Sequence, residues 1–133
     1  MTQKHIDVVI SHSEIDRGLA SLVKSALKAA GMRVWTMTEI PSGSDWQAAI
    51  RDAMLRAECI VVLLTRNSLT SSRLTFEVGM AMGTAKPIFV FYDGLSADEL
   101  PSYVHQHHVA DVSQLPAIID EMKTQLGTMA AAH

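Results

Sequence analysis

Apolar positions along the chain follow two alternating rhythms. Four short runs are continuously apolar: IDVVIS (6–11), MRVW (32–35), CIVVLLT (59–65) and PIFVFY (87–92). Continuous rather than alternating apolarity predicts parallel strands covered on both faces. Between them the period lengthens to that of a helix. Leu19, Leu22, Val23, Ala26, Leu27 and Ala30 form one stripe, closed by Gly31, and Trp46, Ala49, Ile50, Ala53, Met54 and Ala57 form a second. Leu74, Val78, Ala81, Met82 and Ala85 form a third. Leu115, Ile118, Ile119, Met122 and Leu126 form the last, behind a weaker strand at HVADV (108–112). Ser13 with Asp16, Ser44 with Gln47 and Ser96 with Glu99 resemble capping boxes and mark strand-to-helix turns.

Five β/α units of this kind predict an α/β three-layer sandwich, flavodoxin-like, with a five-stranded parallel sheet in the order 2-1-3-4-5 flanked by helices. The 133 residues form a single domain with a core over about 5–126, and the tail GTMAAAH reads as a frayed end. A hydrophobic content of 48% with 19% charged residues predicts a globular chain, not a disordered one. The net charge of −3, without a Lys/Arg cluster, argues against nucleic acid and anionic lipid as partners. The lone Cys59 lies in an apolar run and reads as a buried, inert thiol, which excludes a disulfide framework. No segment reads as a signal peptide or a membrane span, and a cytoplasmic location is expected.

In a sheet of this order, ligands bind beyond the carboxyl ends of the strands, near the switch point between strands one and three. SHSEID, the loop TMTEIPSGSD, Thr65 with RNSLTSS, and the helix holding Glu77 converge on that rim. Glu77 stands out because it lies three residues after Leu74 and four before Ala81, along an otherwise apolar stripe. An ionised carboxylate there loses hydration unless something replaces it. Two accounts fit the residues: a site carboxylate, or a helix-edge acid paired with Arg73 one turn earlier, in the weaker i,i+4 orientation. Familiar chemistries fail on this rim. SHSEID contains no glycine for a dinucleotide fingerprint, a P-loop is absent, and a phospho-accepting receiver lacks its Asp at Thr65 and its Lys. A flavin phosphate loop is equally poorly matched. His105, His107 and His108 lack partners at diagnostic metal-ligand spacing, so no metal site is expected.

The ordered motifs resemble the Toll/interleukin-1 receptor (TIR) domain, in its bacterial form, over about residues 5–126. DVVISHSEID is similar to the first TIR box, GMRVWTMTEIPSGSDWQAAI to the second with its BB loop, and CIVVLLTRNSLTSS with FEVGMAMGTAKPIFVF to the segment holding the family's catalytic glutamate. The matching position is Glu77. The chain departs from many members in having SSRLTF where they carry Trp and Cys, and EVGMAMGTAKPI also resembles nucleoside deoxyribosyltransferases. The resemblance implies an NAD+ glycohydrolase or cyclase with Glu77 as catalytic residue, in defence or virulence signalling, with NAD+ as substrate and no cofactor. The alternative is a non-catalytic module that associates with other TIR domains through the BB loop, where Ile40 and Pro41 lie, and the resemblance implies a homo-oligomer or filament on activation. Around Glu77 the substrate-binding candidates are Ser11, His12, Ser13, Trp35, Gly43, Trp46, Thr65 and Arg73. The two tryptophans offer stacking surfaces, Ser11 to Ser13 a helix N-terminus for a pyrophosphate, and Gly43 the backbone freedom of a gate.

Overall fold

A computed structural model describes residues 5–37 and 45–131. The strands are β1 (Ile6–Ser11), β2 (Val34–Thr36), β3 (Ala57–Thr65), β4 (Ile88–Asp93) and β5 (His108–Asp111). The helices are α1 (Arg17–Ala29), α2 (Trp46–Arg56), α3 (Ser72–Gly83) and α4 (Leu115–Ala131). All strand pairs are parallel, in the order β2-β1-β3-β4-β5, so the predicted sheet is the observed one. β3 lies at its centre, and seven of its nine residues in unbroken succession, Cys59 to Thr65, are buried. That is the burial its continuous apolarity demands.

Each face of the sheet has its own core. On one, α2 and α3 lay Ile50, Ala53, Met54, Leu74, Val78 and Ala81 over Val9, Ile60, Val62 and Val90. On the other, Ala20, Val23 and Leu27 of α1 and Met122 of α4 cover Val8, Ile10, Val61, Leu63, Phe89 and Phe91. Cys59 belongs to this second core, and burial pushes its thiol up to about 12, so it stays protonated and unreactive at neutral pH.

Several boundaries differ from the pattern, for identifiable reasons. β2 begins at Val34, not Met32, because α1 ends in a Schellman motif: Met32 N donates to Leu27 O and Gly31 N to Lys28 O, with Gly31 at φ +92°. That turn consumes Met32 before pairing can start. Leu22 is exposed, since it sits about 100° around the helix from Val23 on a stripe centred on Ala20, Val23 and Leu27. Ala57 belongs to β3, because α2 runs directly into the strand. Lys86 closes that junction, its Nζ donating to the carbonyls of Leu55 and Ala57. Ser96 and Glu99 do form a capping box, but on a single 3-10 turn, Ala97–Glu99; another, Ser102–Gln106, follows, and no α-helix joins β4 to β5. For α2 the cap is Asp45, which accepts from the amides of Gln47 and Ala48; Ser44 lies outside the described residues.

α3 stops at Gly83, so Ala85 leaves the stripe; it is exposed and takes φ 60°. A β-carbon in that region costs about 1–2 kcal/mol, which glycine avoids at the cost of greater freedom in the unfolded chain. Ala85→Gly is expected to stabilise the protein by about 0.5–1 kcal/mol in urea unfolding; a loss of stability would contradict this reading of the turn.

Candidate active site

Glu77 sits midway along α3, on the side turned to the end of β1, and has no exposed surface. Ser71 caps the helix by accepting from Leu74 N, while Leu74, Val78 and Ala81 fix its rotation against the sheet. The carboxylate therefore cannot turn away into water. Ser11, the last residue of β1, donates its hydroxyl to Glu77 Oε1 at 2.5 Å. Arg73 Nε donates to Glu77 Oε2 at 3.3 Å, a long contact consistent with the weaker orientation of an Arg that precedes its Glu by four residues.

The arginine is gripped from its other side. Its guanidinium lies 4.0 Å from the centre of the Trp46 ring, within cation–π range, and the edge of Phe76 meets that ring at 6.0 Å between centres. Trp35 packs half-buried against the same core. One line of contacts thus runs from Trp46 through Arg73 and Glu77 to Ser11, joining α2, α3 and β1. Burial raises the pKa of Glu77 above the ordinary carboxylate value, opposed by the Ser11 hydrogen bond and by the charge and hydrogen bond of Arg73. Both accounts of Glu77 drawn from the sequence meet here: the Arg73 pair exists, and the carboxylate is buried at the rim.

Other candidates gather elsewhere. Thr65 Oγ1 lies 2.9 Å from both oxygens of Asp16, and Ser13 Oγ donates to Asp16 Oδ2 at 3.1 Å. Ser68 joins the cluster by accepting from Thr65 N at 2.8 Å. Ser13 thus precedes a 3-10 turn, Glu14–Asp16, without a side-chain cap bond, and the buried Asp16 ties the start of α1 to the end of β3. Thr65 and Ser13 are not brought to Glu77, and the carboxylates of Asp16 and Glu14 stand where a pyrophosphate was expected. His12 follows Ser11 but lines a cavity with α1 residues. Gly43, Ile40 and Pro41 lie outside the described residues.

The sequence offered no signal for the Asp16–Thr65 link beyond the Ser13–Asp16 spacing, because its partners are far apart in the chain. Among the described residues no group of three potential metal ligands occurs. His108 instead stacks on Phe89 at 4.5 Å and meets Glu121 at 3.2 Å. Among the same residues no helix is long and apolar enough to cross a membrane.

The parallel sheet with its switch point between β1 and β3, and an acid on the helix after β3, define a flavodoxin-like rim site. The family model described as "TIR domain" matches residues 8–126, and the chain belongs to that family. No curated protein matches the sequence. Among solved structures, the chain is similar to a metazoan TIR-STING receptor from C. gigas (TM-score 0.76, 17% identity, 92% of this chain and 42% of that one). It thus spans well under half of that receptor's length. It is also similar to the TIR domain of the Toll-related receptor TRR-2 from Hydra magnipapillata (TM-score 0.73, 15% identity, 89% and 98% covered). A third likeness is to the TIR domains of the activated Roq1 resistosome recognising the pathogen effector XopQ (TM-score 0.61, 16% identity, 95% and 71% covered). Identities this low carry the fold alone.

A carboxyl group whose pKa is raised in the fold favours the native state below its unfolded pKa, and that contribution is lost as pH rises through the folded value. Glu77→Gln keeps an acceptor for Ser11 without the buried charge. Its melting temperature relative to wild type is therefore expected to rise progressively from pH 4.5 towards pH 8. A difference flat across that range would mean that burial does not burden the ionised form.

Proposed function

We propose that the chain is an NAD+ glycohydrolase or cyclase, with Glu77 as its catalytic residue. The observation that carries this reading is a carboxylate with no exposed surface, hydrogen-bonded to Ser11 at the end of β1. In the substrate, nicotinamide is joined to ribose through a cationic pyridinium nitrogen. As the C1′–N bond breaks, its electron pair goes to that nitrogen, nicotinamide leaves neutral, and positive charge passes to the ribose as an oxocarbenium ion. No proton has to be delivered to the leaving group. Water adding at C1′ and losing a proton gives ADP-ribose; attack by an adenine ring nitrogen gives a cyclic product. The reaction as written draws on no cofactor.

Glu77 suits this chemistry because a carboxylate in a poorly hydrated pocket interacts with a developing cation more strongly than it would in water. Two of its lone-pair directions are occupied by Ser11 and Arg73, which leaves acceptor capacity for a ribose hydroxyl. Substrate reaches it only when a covering side chain moves. Arg73 fits that role, being 41% exposed and held by one long hydrogen bond and a ring face. Its departure would also open the Trp46 ring for stacking.

A second reading, a TIR–TIR interaction module without chemistry, is favoured by Ile15, just before α1, and Leu22, midway along it, large apolar side chains 68% and 71% exposed. Assembly and catalysis are compatible. The deciding experiment incubates concentrated protein with NAD+ and separates the products chromatographically. Wild type is expected to release nicotinamide, and Glu77→Ala to do so about 10²-fold more slowly or less, while circular dichroism reports an intact fold. Equal turnover by both proteins would refute the role of Glu77. Absence of turnover from both, with association that Leu22→Asp abolishes in analytical ultracentrifugation, would favour the module.

A further inference from the structure

Ser11 and His12 are consecutive, yet the chain sends them to opposite faces of the sheet. Ser11 meets Glu77 under α3, whereas His12 enters a cavity of about 240 Å³ beside α1, lined with it by Arg17, Ala20, Ser21, Lys24 and Thr36. His12 is 3% exposed. Its Nδ1 lies 2.7 Å from the carbonyl oxygen of Ser13 and donates to it, so that nitrogen carries the proton. The other ring nitrogen, Nε2, is buried and has no hydrogen-bond partner among the described residues. A buried polar atom left without a partner is costly, and native structures rarely tolerate one without a reason.

The surroundings indicate what would satisfy it. Two cationic side chains, Arg17 and Lys24, and two hydroxyls, Ser21 and Thr36, line the same space. Arg17 reaches Glu14 at 2.7 Å, but both side chains are more than half exposed, and such a surface pair is weak enough to be exchanged for a ligand. Among the described residues, the acid that follows, Asp16, is occupied by Thr65 and Ser13. The cavity lies below the range of about 300–1,000 Å³ that holds a drug-sized ligand, so it fits a small anionic fragment and not a whole dinucleotide. A phosphate group fits this lining: one of its oxygens meets His12 Nε2, while the others accept from Arg17, from the Ser21 hydroxyl and from Lys24, whose three ammonium donors can serve more than one partner.

We propose that this cavity is a second site, across the sheet from Glu77, which binds the phosphate group of a small molecule with His12 Nε2 as the buried contact. The proposal stands apart from the reaction at Glu77, and its test involves no turnover of NAD+. Backbone amide and histidine ring signals of the full chain are followed by NMR, at constant ionic strength, during separate titrations with inorganic phosphate and with AMP. The expected result is saturable shifts confined to His12, to α1 from Arg17 through Lys24, and to Thr36. Lys24→Gln and His12→Phe should each weaken binding about tenfold or more, the loss of one charge-assisted bond. Tighter binding of AMP identifies a nucleotide phosphate as the ligand; equal binding identifies free phosphate, and either supports the site. Shifts that never saturate, that centre on α3, or that are unchanged in Lys24→Gln overturn it. Should His12→Phe not fold, Lys24→Gln, on a partly exposed helix position, decides alone.

Discussion

The hydrogen bond from Ser11 to Glu77 joins residues 66 positions apart and fixes the geometry of the rim. A carboxylate without exposed surface has exchanged its water for whatever the fold supplies, and here that is one hydroxyl and one long contact to a guanidinium. Two partners do not replace a hydration shell, and so the pKa rises. Leu74, Val78 and Ala81 keep α3 from rotating to relieve that cost. The strain of a partly desolvated charge is therefore held in place by ordinary core packing one turn away on either side.

From that constraint the rest of the rim follows. The end of β1 must be positioned to within hydrogen-bond tolerance, and its pairing with β2 on one side and β3 on the other does this. The Asp16–Thr65–Ser13 cluster holds the next segment of chain, between β1 and α1, to the end of β3. Two buried acids thus divide the labour. Asp16, receiving hydroxyls from two residues, secures the backbone, whereas Glu77, under-supplied with donors, retains capacity to accept from a ligand. The alternation of Ser11 and His12 then places a polar group on each side of the sheet at the same level.

Membership of the TIR family rests on the match over residues 8–126 and gives Glu77 a context it lacks in isolation. The solved relatives share the fold at 15–17% identity, which leaves the chemistry to this chain's own side chains. Trp46, Arg73 and Phe76 stand together beside Glu77, with the guanidinium shared between a ring face and the carboxylate.

The sequence by itself determined the strand count, the parallel order and the placement of Glu77 on the buried stripe. The order depends on the fold class that alternating β and α elements imply, and the count and the placement on the period of apolar residues, which is a local property. Gly31 as the end of α1 was legible for the same reason, since only the immediate turn requires its left-handed backbone. The exposure of Leu22, the early start of β3 at Ala57 and the replacement of an α-helix by 3-10 turns between β4 and β5 were not, because neighbouring elements decide which side of a stripe finds a partner. The division of SHS between two faces was equally hidden. Tertiary structure alone set Ser11 against Glu77, Asp16 against Thr65, and His12 toward Arg17 and Lys24, since hydrogen bonds between residues distant in the chain leave no periodic trace in it.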